Sequence, residues 1–138
     1  DRIGSFVGEG PDVIGDPGPV DWIITNPPFN LAVEFAERAL GTAAGVALLV
    51  RTAWLEGGDR FHRLFKPRPP SVVAVFCERV PMVKGRWDPG ASTATSYSWV
   101  VWLPGRAADE RTRLMWIPLG QRQRLAKPDD VARFAREA

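Results

Sequence analysis

The sequence predicts an α/β layered domain whose single sheet is mostly parallel and carries an antiparallel hairpin at one edge. Strand-like and helix-like stretches alternate in the order strand, helix, strand, helix, strand. The run "GVALLV" has no polar face, as in parallel strands covered on both sides. The last pair of clear strands is joined by a polar loop with no helix between them, which predicts the hairpin. With 138 residues and 45% hydrophobic content, residues 1–138 suffice for one packed domain and are too few for two ordinary ones.

The elements follow in order. Asp1 to Pro19 is rich in Gly, Pro and Asp and reads as loop, with a short strand at Asp12 to Gly15. Val20 to Thr25 is apolar, β-branched and aromatic, and reads as a buried strand that stops in the turn Asn26 to Phe29. Asn30 is placed to cap a helix through "LAVEFAERAL". Leu31, Phe35 and Leu40, with Ala32, Ala36 and Ala39, form its apolar face, and Gly41 ends it. Gly45 to Val50 is the second strand. A helix near Trp54 to Phe65 is loosened by Gly57 and Gly58, and "KPRPP" breaks the chain. Ser71 to Glu78 and Ser96 to Pro104 are the third and fourth strands. "RLMWIPL" reads as a last short strand. "KPDDVARFAREA" reads as a helix with Pro128 in its first turn and Asp129 and Asp130 at the positive end of its dipole.

Composition narrows the chemistry. No run of about 18 apolar residues is present, so no membrane span is expected. No signal-peptide pattern opens the chain. It begins at Asp1, which reads as a processed fragment or a chain with its beginning removed. One cysteine, Cys77, excludes an internal disulfide and a cysteine-based zinc cluster. Its place inside "SVVAVFCERV" predicts a buried structural thiol in a reducing, cytoplasmic setting. The single histidine, His62, stands in "GGDRFHRLFK" with no evident catalytic partner and reads as a surface helix residue, so triad and metal chemistry find no support. The net charge is +2 and arginine supplies most of the positive charge. One group is Arg51, Arg60, Arg63, Lys66 and Arg68; another is Arg106, Arg111, Arg113, Arg122, Arg124 and Lys127. Such groups suit phosphate contacts, and equally a solvated basic surface.

The chemistry is concentrated in "VDWIITNPPFN". In open α/β sheets, ligands sit outside the carboxyl ends of the strands. "NPPF" leaves such an end. An exocyclic amine on a flat ring, such as N6 of adenine, is a poor nucleophile because its lone pair is delocalised. Acceptors for both its hydrogens would localise that pair. The Asn26 side chain and the Pro27 backbone each offer a carbonyl, and Pro27 and Pro28 preorganise the turn. Phe29 offers a face on which a planar base stacks.

At these residues the chain resembles the S-adenosylmethionine-dependent amino-methyltransferases. Their signature (D/N/S)PP(Y/F) follows the fourth sheet strand and stands here as Asn26-Pro27-Pro28-Phe29. The runs "DWIITNPPFNLAVEFAERAL…GVALLVRTAWLEG" and "SVVAVFCERVPMVKGRWDPGASTATSYSWVVW" are most similar to phage and prophage DNA N6-adenine methyltransferases, over roughly Val20 to Trp102. The resemblance implies a Rossmann-like methyltransferase sheet, S-adenosylmethionine as cofactor and DNA as partner. It implies catalytic roles for Asn26, Pro27, Pro28 and Phe29, and cofactor contacts from Asp16, Thr25 and Asn26. Asp16 reads equally as a turn residue before Pro17. Substrate contacts are expected from Asn30, from Arg51 and Thr52 at the end of the second strand, and from Lys84, Arg86 and Trp87 in the hairpin loop.

The family also needs a glycine-rich cofactor loop. "FVGEG", Phe6 to Gly10, matches its string but lies too close to NPPF for the intervening elements, and nothing after Trp102 resembles it. The cofactor-binding half is therefore expected upstream or on another chain, with this chain inactive alone. Without that half, Val20 to Thr25 becomes an open edge. The chain is then expected to pair as a homodimer through that edge or the uncovered faces, unless Asp1 to Pro19 folds over it. Guanine-N2 methyltransferases of ribosomal RNA also carry NPPF, and glutamine-N5 methyltransferases of release factors carry NPPY. A non-catalytic nucleic-acid-binding remnant is a further alternative.

Overall fold

The computed structural model of the chain describes residues 18–81, 94–107 and 109–134. Within them a five-stranded sheet is built from β1 (Val20–Thr25), β2 (Ala43–Arg51), β3 (Val72–Phe76), β4 (Tyr97–Trp102) and β5 (Arg113–Ile117), in the order β1-β2-β4-β3-β5. β1 and β2 pair in parallel, as do β3 and β5, and β4 runs antiparallel to both β2 and β3. Four of the five strands therefore share one direction and β4 is reversed. The fold is α/β with a mixed sheet.

The antiparallel hairpin of β3 and β4 is present, but it does not lie at the edge. β4 occupies the centre of the sheet and β5 forms the margin. Burial explains the placement. Tyr97, Ser98, Val100 and Trp102 are all buried, so β4 is covered on both faces, whereas Leu114, Met115 and Trp116 of β5 are exposed. The end of β4 and the start of β5 are tied to the same segment before β3. The Leu103 N–H donates to the Ser71 hydroxyl (2.9 Å), and the Arg113 N–H donates to the Ser71 carbonyl (2.9 Å).

Helix α1 (Ala32–Thr42) connects β1 to β2 and lies on one face of the sheet. Its buried side chains are small or β-branched, namely Ala32, Val33, Ala36 and Ala39. Small residues let the helix approach closely the stripe formed by Val46, Leu48, Val50, Val100 and Trp102. Asn30 does not cap α1. It sits in a 3-10 turn, Phe29–Leu31, in which the Leu31 N–H donates to the Pro28 carbonyl (3.0 Å), and no side chain caps the helix that follows. The helix also runs past Gly41 to Thr42, whose hydroxyl donates to the Arg38 carbonyl (2.8 Å).

After β2 a 3-10 turn, Thr52–Leu55, buries Trp54, which meets Phe65 edge-on with ring centroids 5.4 Å apart. The next helix, α2 (Gly58–Arg60), continues as a π-helical turn over Phe61–Phe65. The wider turn is closed by the Lys66 N–H donating to the Phe61 carbonyl (2.8 Å). It places Leu64 in the core, 1% exposed, and Arg63 against α1. Two short helices, α3 (Gln121–Leu125) and α4 (Asp130–Phe134), follow β5, and Pro128 and Asp129 precede the last of them. Cys77 is exposed, contrary to the buried thiol expected. β3 ends at Phe76, so the apolar run outlasts the strand and Cys77 lies just past it, its N–H still donating to the Ile117 carbonyl (3.1 Å). No helix among the described residues is long and apolar enough to cross a membrane.

Candidate functional site

Because β1 and β2 are parallel neighbours, both deliver their carboxyl ends to the same rim. β1 delivers Thr25 followed by Asn26, Pro27, Pro28 and Phe29; β2 delivers Arg51 and Thr52. The reversed β4 enters the sheet at this rim, with Tyr97 paired to Arg51. Thr52 is bound twice to the stretch Ser96–Ser98, where β4 begins. Its N–H donates to the Ser96 carbonyl (2.9 Å), and its hydroxyl shares a hydrogen bond with the buried Ser98 hydroxyl (2.8 Å).

The turn itself is rigid on one side and open on the other. Pro27 is buried and anchors it, while Asn26, Pro28, Phe29 and Asn30 are exposed. The Pro28 carbonyl is taken by Leu31. Among the described residues, neither the Pro27 carbonyl nor the Asn26 side-chain amide has a hydrogen-bond partner. Asn26 is exposed, so its amide finds water at little cost and is available to a ligand without breaking a protein contact. The Phe29 ring is 40% exposed, lies with its centroid 6.3 Å from that of Tyr97, and carries the Arg51 guanidinium 4.2 Å above it.

Thr25, Asn26, Pro27, Pro28, Phe29, Asn30, Arg51 and Thr52 thus meet at one rim. Asp16, Phe6 to Gly10, the short strand expected at Asp12 to Gly15, and Lys84, Arg86 and Trp87 lie outside the described residues. Two rim residues had no clear sequence signal. Tyr97 lies beside Phe29 with its ring tilted to it, but its side of the sheet follows only from its pairing with Arg51. Arg79, just past β3, donates to the Ser96 hydroxyl and adds a second cation near this rim.

Several other arginines are engaged in holding the fold. Arg63 reaches Glu37 (2.8 Å), Glu34 (3.4 Å) and Asp59 (3.5 Å), and the Glu37 hydrogen bond holds its guanidinium more firmly protonated. Arg60 donates to the Glu56 carbonyl (2.7 Å). Arg106 donates to the Pro69 and Glu110 carbonyls. A cleft of about 440 Å³ lined by Leu40, Ala43, Arg68, Trp102 and Arg106 lies at the other end of the sheet, away from the NPPF turn. No family model matches the chain, and no curated protein and no solved structure matches it.

Proposed function

We propose that the chain carries the catalytic turn of an S-adenosylmethionine-dependent DNA adenine-N6 methyltransferase. The observation that carries this reading is the state of the turn at the end of β1. The Asn26 amide and the Pro27 carbonyl are without partners among the described residues, and an exposed aromatic ring stands beside them. An arrangement of acceptors next to a stacking surface suits a planar group that bears an N–H₂.

The same rim supports a methyl donor in part. Thr25 and Asn26 stand at the tip of β1 and would contact it. When bound, S-adenosylmethionine supplies an electrophilic methyl group on a sulfonium sulfur. The chain's own residues act on the amine. In the ground state the amine is nearly flat and its hydrogens are ordinary donors. As nitrogen attacks, it becomes tetrahedral and gains positive charge, so its N–H bonds donate more strongly. The Asn26 and Pro27 carbonyls therefore bind the transition state more tightly than the substrate. The prolines limit the reorganisation this needs, and Phe29 holds the ring plane in place.

Arg51 and Arg79 near the rim favour a phosphate-bearing substrate over a protein glutamine. Guanine-N2 of RNA satisfies the same acceptors and remains the second reading. DNA as partner, a cytoplasmic setting and homodimerisation through the β1 edge belong to the same proposal. Transfer of labelled methyl groups to DNA, RNA and protein separates the substrates. The expected result is label in adenine of DNA that disappears on Asn26→Ala. Label in no substrate, with the cofactor-binding partner half supplied, would leave only the non-catalytic alternative.

A further inference from the structure

We infer that Arg51 is a placeholder for the substrate base: its guanidinium occupies Phe29 in the free protein, yields that ring to the incoming base, and moves to a nucleic-acid phosphate. This inference rests on the nucleic-acid reading of the rim and deepens it. The guanidinium carbon lies 4.2 Å from the Phe29 ring centroid, which is stacking distance for a planar cation. A guanidinium is flat and delocalised, with a rim of N–H donors, so it resembles in shape the aminated heterocycle that the turn is suited to receive.

Its other contacts make it displaceable. Arg51 is exposed and has no ion pair or side-chain hydrogen bond among the described residues, whereas Arg63 meets three carboxylates and Arg106 two backbone carbonyls. The Arg51 backbone, in contrast, is fixed by pairing with Tyr97 in the middle of the sheet. The side chain therefore pivots from a rigid base. A nucleobase stacked on an aromatic ring is held more strongly than an exposed guanidinium on the same ring. The base consequently wins Phe29, and the freed fork finds its best partner in the phosphate of the same strand. Stacking and charge neutralisation become one exchange at a single residue.

The exchange has an unusual signature, because Arg51 opposes binding of a bare base and assists binding of a strand. The test compares the 138-residue parent chain with Arg51→Ala and Arg51→Lys, using deoxyadenosine and a single-stranded adenine-containing oligonucleotide as probes. Circular dichroism checks that each variant folds. Removing the cation is expected to raise deoxyadenosine affinity about two- to fivefold, the strength of an exposed cation–π contact. The gain should vanish in the Phe29→Ala background. The same change should weaken oligonucleotide binding and reduce the slope of log K against log salt by about 0.7, one single-strand phosphate contact. Arg51→Lys should keep that slope. Deoxyadenosine binding that is unchanged or weaker in Arg51→Ala, or an unaltered salt slope, overturns the inference and leaves the nucleic-acid reading standing. Failure of the parent to bind either probe overturns that reading, and the inference with it.

Discussion

The indole of Trp22 lies across Gly45: a Cβ on Gly45 would stand 2.6 Å from Cδ2 and 2.7 Å from Cε2 and Cε3 of the ring. The two residues are register partners on β1 and β2, so the ring of the edge strand folds onto its neighbour's backbone. Gly45 is buried, while Trp22 itself is 40% exposed. Here glycine serves close approach, not a turn.

Gly45→Ala should therefore destabilise the chain although alanine suits a strand better than glycine. Displacing the indole is expected to cost about 1–3 kcal/mol, the range for overpacking. In a Trp22→Ala background the same substitution should cost little or stabilise. Denaturant unfolding of the single and double variants measures the coupling, and additive effects would show that the ring does not depend on Gly45.

Neighbouring residues of the π-helical turn should behave in opposite ways. Leu64 is 1% exposed in the core, so Leu64→Ala should cost about 2–5 kcal/mol. Arg63 makes the most extensive ion-pair network among the described residues, yet its partners' side chains are 41–75% exposed. Water and salt screen such pairs, so Arg63→Ala should cost no more than about 1 kcal/mol, and less at high salt. Unfolding midpoints that reverse this order would mean that the turn is held by charge rather than by burial.

At the rim, Asn26→Ala in the complete enzyme, with its cofactor-binding half supplied, should lower the methyl-transfer rate by about 10²–10³, the effect of removing one transition-state hydrogen-bond partner. Binding of the strand should change little, since Arg51 and Phe29 remain. Single-turnover rates beside oligonucleotide affinities give the answer. A variant with normal turnover would remove Asn26 from the chemistry; one with a lost affinity and intact rate would make it a binding group.

β1 forms one margin of the described sheet and pairs there with β2 alone. It presents Trp22 and Ile24, 40% and 65% exposed, on the face away from α1. An apolar edge of this kind is a template for another strand. Light scattering at micromolar concentration should report a dimer, and Ile24→Lys should convert it to a monomer. A monomeric parent chain whose β1 amides exchange slowly would contradict this.

What is legible in the sequence is what short-range chemistry controls. The apolar β-branched runs became β1 to β4 within about two residues at each end, although β1, expected as a buried strand, has no buried residue because it lies at the margin of the described sheet. Pro27 and Pro28 end β1 wherever it lies, because a ring-locked backbone without N–H groups cannot continue a ladder. Asn30 shows the limit of such signals. An asparagine before a helix is a good cap, but here the Pro28 carbonyl captures the Leu31 N–H and draws Asn30 into a 3-10 turn. The place of β4 was decided by burial on both faces, and the exposed Cys77 falls just past the end of β3. The closeness of Trp22 to Gly45, and of Arg51 to Phe29, comes from the alignment of strands distant along the chain. A residue's type sets what its side chain can do within its own turn or strand. Which side chains meet across a sheet depends on strand order and register, and these emerge only when all the strands bury their apolar faces together.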